Sequence, residues 1–144
     1  MKVTVKQIVS TYKLLGEAKV SKLEESEVVK IVKARKNMRS IAEDYEAFLK
    51  DVQEKFKPEN WYEIQQKVQQ WQKEGEDTTL SESERIAINK AIIDYTNKVN
   101  TAVKEELDRE VEISIETIKE DSFIKLLVEN NWEVKTLDEL EIML

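Results

Sequence analysis

"KIVKARKNMRSIAEDYEAFLKD", residues 30–51, holds five cations in its first ten positions and then turns acidic. Beneath the charges run Ile31, Met38, Ile41, Tyr45 and Phe48, and the stripe continues through Val52 and Phe56 before Pro58. These apolar positions recur mostly at steps of three and four, so they share one face of an α-helix. No glycine or proline interrupts them. The spacing predicts one unbroken helix over residues 27–56, about 45 Å long at 1.5 Å per residue.

Outward from this helix the same period recurs. Val5, Ile8, Tyr12 and Leu15 form an earlier face, opened by Thr4 and Gln7 at the spacing of a capping box, in which a hydroxyl and a side-chain amide satisfy free backbone N–H groups. Gly16 and "EAKVSK" read as a connection. After Pro58, Trp61, Ile64, Val68 and Trp71 mark a glutamine-rich helix that Gly75 and "EDTT" end. Ser81 with Glu84 caps a second long helix, expected to reach about Arg109, with Ile88, Ile92, Tyr95, Val99 and Val103 inward. Ser40 with Glu43 matches the same box in mid-helix, so the pattern alone is weak evidence.

Beyond Glu110 the period changes to two. "REVEISIET" sets Val111, Ile113 and Ile115 against acids and Ser114, the signature of a half-buried strand. "KVTV" at the start alternates likewise, and the two short stretches are candidates to pair, because a lone strand leaves backbone groups unsatisfied. A helix near Ser122 to Asn130 follows. Thr136 with Glu139 is a candidate cap for a last turn over Leu137, Leu140 and Met143. The expected fold is mainly α: an antiparallel long-helix hairpin with flanking short helices and a small two-stranded ribbon. The expected organisation is one helical domain over 1–144, with 58–80 as an inserted segment.

Composition narrows the function. Lys and Arg total 23 against 30 Asp and Glu, a net charge of −7, which disfavours general affinity for a nucleic-acid backbone. No apolar run approaches the roughly 20 residues of a membrane span, and "MKVTVKQIVSTYKLL" lacks the apolar core of a signal peptide. The expectation is a protein of the cytoplasm. There is no histidine and no cysteine, which removes the commonest general base, thiol catalysis and most zinc sites. Two isolated glycines form no phosphate-cradling loop. Carboxylate chemistry with Mg²⁺ remains.

The enzyme reading rests on Glu24 with Glu27 and Glu43 with Glu46, two E-x-x-E pairs loosely similar to the paired acidic motifs of all-α nucleotide pyrophosphatases. The likeness departs at Glu46, where that family tends to have Asp. On one continuous helix, moreover, a 19-residue offset puts the pairs roughly 28 Å apart, too far to share a metal. The nucleic-acid reading rests on Lys30, Lys33, Arg35, Lys36 and Arg39. These point in several directions around the helix, lack interleaved aromatics and have acids following at pairing distance, as in Arg39 and Glu43. A solvated helix face accounts for them better. Trp61 and Trp71, with Ile64 and Val68 between them, are either anchors for a partner or core residues closing the end of the hairpin.

The layout as a whole, from "MKVTVKQIVSTYKLL" through two long helices to "ELDREVEISIETIKEDSF" and a leucine-rich end, resembles small proteins of uncharacterised function encoded in phage and prophage genomes. The resemblance covers residues 1 to about 56 and 81–144. It implies an accessory or assembly protein acting through contacts, virion-associated if phage-derived, and it carries over no functional residue. The expected function is thus a non-catalytic helical interaction protein, homo-oligomeric, needing no cofactor. The candidate contact residues are Trp61, Ile64, Val68 and Trp71.

Overall fold

The computed structural model describes all 144 residues. In chain order its elements are β1 (Lys2–Thr4), α1 (Val5–Glu17), α2 (Glu25–Phe56), α3 (Trp61–Glu74) and a 3-10 turn at Gly75–Asp77. Then follow α4 (Glu82–Asp108), β2 (Glu110–Glu112), α5 (Glu120–Glu129), α6 (Thr136–Glu139) and a final 3-10 turn at Glu141–Met143. The mainly α fold that the sequence predicts, a long-helix hairpin with flanking short helices and a small ribbon, is the one found. The helix expected over 27–56 is unbroken within α2. The chain divides into two compact units, one of residues 1–47 with 106–144 and one of residues 48–105. Segment 58–80 lies wholly in the second.

In the first unit, the capping box at the start of α1 forms as spelled. Gln7 N–H donates to Thr4 Oγ1 at 3.2 Å, and Thr4 N–H donates to Gln7 Oε1 at 2.9 Å. β1 and β2 pair antiparallel, with Val3 opposite Val111. Each strand is only three residues long, so the ribbon depends on the core beneath it. That core joins Val3, Ile8 and Leu15 to Ile31 and Met38 of α2, and to Phe123, Leu126, Leu140 and Met143 of the C-terminal segment.

Two local expectations are corrected here. The strand expected through Ile115 ends at Glu112, and residues 114–119 leave the ribbon. Asn37 Nδ2 donates to the Ser114 carbonyl at 3.0 Å, and Ile118 N–H donates to the Met143 carbonyl at 2.8 Å. Ile113 still exchanges backbone bonds with Met1, at 3.1 and 3.2 Å, and both Ile113 and Ile118 are buried. Thr136 is no cap either. Lys135 occupies that position without a side-chain bond, and Thr136 is itself buried within the first turn.

Polar side chains tie the C-terminal segment to the rest of the unit. Thr11 Oγ1, buried, donates to the Glu139 carbonyl at 2.7 Å. Asn130 accepts from Lys19 N–H at 2.6 Å and donates back to the Lys19 carbonyl at 2.9 Å. Glu129 accepts from Ser21 Oγ and from Lys22 N–H, and the Ser21 bond foremost holds its carboxyl below the usual range. α5 ends in a Schellman motif: Asn131 adopts φ 55°, Trp132 N–H donates to the Leu127 carbonyl, and Asn131 N–H donates to that of Val128. Asparagine tolerates this left-handed position better than other residues with a side chain.

Candidate interaction surface

The second unit contains all four residues singled out from the sequence. Ile64 is buried in a small core with Leu80 and Ile88, and Trp61, Val68 and Trp71 pack against it, half-buried. Trp61 also meets Tyr95 of α4, with ring centroids 4.6 Å apart and planes tilted by 42°, an offset contact that aromatic quadrupoles favour. The stripe on α3 therefore faces α4, and each tryptophan keeps an exposed edge.

Polar bonds set the turn between these helices. Gly75 takes φ 62° with ψ −133° at the end of α3, a conformation for which only glycine lacks a steric penalty. Thr79 Oγ1 bonds the Glu74 carboxylate at 3.3 Å and accepts from Gln70 Nε2 at 2.7 Å. Ser81 and Glu84 form the predicted box at the start of α4: Glu84 N–H donates to Ser81 Oγ at 3.1 Å, and Ser81 N–H donates to Glu84 Oε1 at 3.4 Å. Those bonds, with Lys67 Nζ 3.7 Å from Glu84 Oε2, hold the Glu84 carboxyl below its ordinary value, the Ser81 backbone bond contributing most.

What remains is an open flank. A groove of about 340 Å³ lies between α3 and α4, lined by Val68, Trp71, Gln72, Gly75, Ile88 and Ile92, with Asn89 at its edge. On α4, Ile86 and Ile93 are 61% and 56% exposed. An isoleucine kept in water forgoes roughly 1.5–3 kcal/mol of burial, so two on one helix face mark an uncovered surface. The sequence offers Ile93 as lying off the main stripe. Ile86, seven residues earlier on the same face, escapes a search that looks only for the inward pattern.

Three of the four residues of the acidic pairs have other occupations. Glu27 is 1% exposed. Its Oε1 accepts from Lys119 N–H and from Ser122 Oγ, both at 2.8 Å. Lys30 Nζ stands 3.0 Å from its Oε2 as an ion pair, without the alignment of a hydrogen bond. Glu27 thus caps α5 from another helix: Lys119, at the cap position, has no capping side chain, and a carboxylate at a helix N-terminus also suits the helix dipole. The Lys119 backbone bond, then the Lys30 ammonium and the Ser122 hydroxyl, outweigh burial and lower the Glu27 pKa to about 2. Glu24 lies 3.8 Å from Lys119 Nζ and Glu46 3.6 Å from Lys13 Nζ, both in exposed pairs. Glu27, Glu43 and Glu46 are spread along one helix, and no three acidic side chains converge as a metal site needs.

The basic stretch is divided in the same way. Lys30 belongs to Glu27, and the Arg35 guanidinium lies 3.9 Å above the Tyr12 ring while its Nε donates to the Tyr12 carbonyl at 3.2 Å. Lys33, Lys36 and Arg39 are exposed. Gly16 makes room for Arg35, since a Cβ there would fall 2.6 Å from Nη2. No helix is long and apolar enough to cross a membrane. No protein-family model, curated protein or solved structure matches the chain.

Proposed function

We propose that this chain is a non-catalytic helical interaction protein that serves an assembly through helix-to-helix contacts, with self-association as the first of them. The observation that carries the reading is the open flank of the second unit. There the core of Ile64, Leu80 and Ile88 is covered on one side by half-buried Val68, Trp71 and Ile92, around a groove wide enough for side chains of a partner. Apolar grooves rimmed by amides such as Gln72 and Asn89 suit a protein partner, because amides donate and accept without the desolvation cost of a charge. The layout likeness to small phage and prophage proteins points the same way. Of the four carboxylates that an Mg²⁺-dependent hydrolase would need, Glu27 is engaged as a helix cap and Glu24 and Glu46 in surface ion pairs, which supports a structural role for these three.

Sedimentation equilibrium across micromolar concentrations tests the reading. The expected result is a weight-average mass rising above the 16.9 kDa of one chain. A mass that stays at one chain throughout would remove self-association. Nucleoside triphosphate hydrolysis that needs Mg²⁺ and vanishes in Glu43→Gln would replace the whole reading with the enzymatic one.

A further inference from the structure

The first unit holds a polar cavity of about 210 Å³. One wall is α2, through Lys30, Lys33, Ala34 and Asn37, which share one helix face. The other is the stretch 114–116, just past the end of β2. Ala34, small and buried, is the only apolar side chain that α2 gives to it. Two of the polar side chains are already held by the protein. Lys30 Nζ stands 3.0 Å from the buried Glu27 carboxylate, and Asn37 Nδ2 donates to the Ser114 carbonyl at 3.0 Å. Each keeps further N–H groups, because an ammonium has three donors and an amide nitrogen two. Lys33 is exposed and enters no ion pair. The N–H groups of Ser114, Ile115 and Glu116 donate to no backbone carbonyl, so the second wall brings unpaired donors as well.

A concave site with this excess of donors suits an anion that has several acceptor oxygens. Liquid water takes about 30 Å³ per molecule, so the cavity has room for a tetrahedral oxyanion. The one acid on its walls, Glu116, decides which. A carboxylate can only accept. It therefore repels sulfate, which has no proton at neutral pH, and the dianion of a phosphate monoester, whose second pKa is about 6. Orthophosphate keeps a hydroxyl in both of its neutral-pH forms. That hydroxyl can donate to Glu116 while the other oxygens accept from the lysines and N–H groups. We propose that this cavity binds inorganic phosphate, with Lys30, Lys33, Asn37 and backbone N–H groups as donors and Glu116 as the acceptor that selects it. Glu27 offsets the charge of Lys30, and the chain as a whole carries −7, so the binding is weak and falls with added salt. The site shares no residue with the groove between α3 and α4 and does not depend on the function proposed above.

The test follows amide NMR spectra while sodium phosphate, sodium sulfate or glycerol phosphate is added at constant ionic strength. At about pH 7.5 the ester is mostly dianion. Phosphate should give saturable shifts at the amides of residues 114–116 and at the Asn37 side chain. It should do so at concentrations about ten-fold or more below those needed for sulfate or glycerol phosphate, the effect of one hydrogen bond to a charged group. Lys33→Gln should weaken the phosphate response several-fold. Glu116→Gln, whose amide donates as well as accepts, should bring phosphate and sulfate within about two-fold of each other. Both substituted side chains are exposed, so circular dichroism should show unchanged helicity. The absence of a saturable phosphate shift at residues 114–116 would remove the site. Sulfate or glycerol phosphate matching phosphate on wild type, or a phosphate response unchanged in Lys33→Gln, would overturn the assignment. None of these outcomes bears on self-association, which sedimentation reads separately.

Discussion

In the first unit, segments more than a hundred residues apart converge on one core. Thirteen buried apolar side chains share it, drawn from β1, α1, α2, the 113–119 stretch, α5 and the last turns. Thr11, Asn37, Asn130 and Glu27 each bond a partner distant in sequence. In the second unit the corresponding core is three buried residues on and between two helices that are neighbours in sequence. Its side-chain hydrogen bonds cluster at the turn, around Thr79 and Ser81, and the Lys67–Glu84 ion pair crosses from one helix to the other. A core gathered from distant segments with polar ties buries side chains such as Leu126 and Met143 completely, although Val32, Val128 and Val134 stay exposed outside it. A core made from one helical hairpin cannot enclose itself, because each helix can give only one stripe to the other. The open groove and the exposed isoleucines of α4 follow from that limit.

The largest expected effect separates the two cores directly. Leu126 is fully buried in the first unit, and Leu126→Ala should cost about 2–5 kcal/mol, near the upper end because tightly packed neighbours cannot fill the space. Ile88→Ala in the second unit removes a residue that borders the open groove on one side. It should cost about 2–3 kcal/mol, since less of a closed cavity is left behind. Urea denaturation of both variants checks this. Equal costs would mean that the second core is as closed as the first.

How much of this was legible in the sequence follows the same divide. α2, α3 and α4 are long and periodic, and their ends carry explicit signals in Pro58, Gly75 and the Ser81–Glu84 box, so their bounds could be read to within a few residues. The ribbon could be suggested from the alternation in "KVTV" and "REVEISIET", but not its length. Whether an alternating run bonds as a strand depends on partners, and residues 114–119 found Asn37, Met143 and Glu27 instead. Glu27 was the least legible residue. A glutamate in the first turn of a helix looks like a favourable surface charge, and nothing local announces that the start of α5, ninety residues on, lacks an acceptor for its first N–H. The tryptophans were ambiguous for a different reason: a residue that is core on one edge and surface on the other satisfies both readings.

The second prediction sharpens the contrast through pH. The Glu27 carboxyl titrates at about 2 when folded and near its ordinary 4.5 when unfolded. A lowered folded pKa means that the unfolded chain takes up the proton first, so the stability this group contributes is present above pH 4.5 and is lost as the pH falls towards 2. Glu27→Gln should lower the denaturation midpoint at pH 7 by less than Leu126→Ala does, because an amide oxygen still accepts from Lys119 or Ser122. It should also flatten the fall in midpoint between pH 4.5 and 2 relative to wild type. Parallel curves for the two proteins would show that Glu27 is not the group that couples α5 to protonation.

The smallest expected effect uses one motif in two settings. Thr4 with Gln7 and Ser81 with Glu84 make the same reciprocal box, each with a hydroxyl accepting from the backbone N–H three residues on. Removing such a hydroxyl costs about 1 kcal/mol of helix stability. Thr4 also stands in β1 opposite Glu110, and the box opens a helix whose Ile8 and Leu15 lie in the large core. Fraying there exposes that core, so Thr4→Ala should lower the protection of slowly exchanging amides in α5 and in the Val111 region as well as in α1. Ser81 is exposed and opens a helix against a small core, so Ser81→Ala should speed exchange mainly in the first two turns of α4 and at the end of α3. Hydrogen exchange on both variants decides between a shared and a local loss. Should Ser81→Ala lower protection across the first unit as Thr4→Ala does, the second unit is no looser than the first, and its open flank reflects geometry alone.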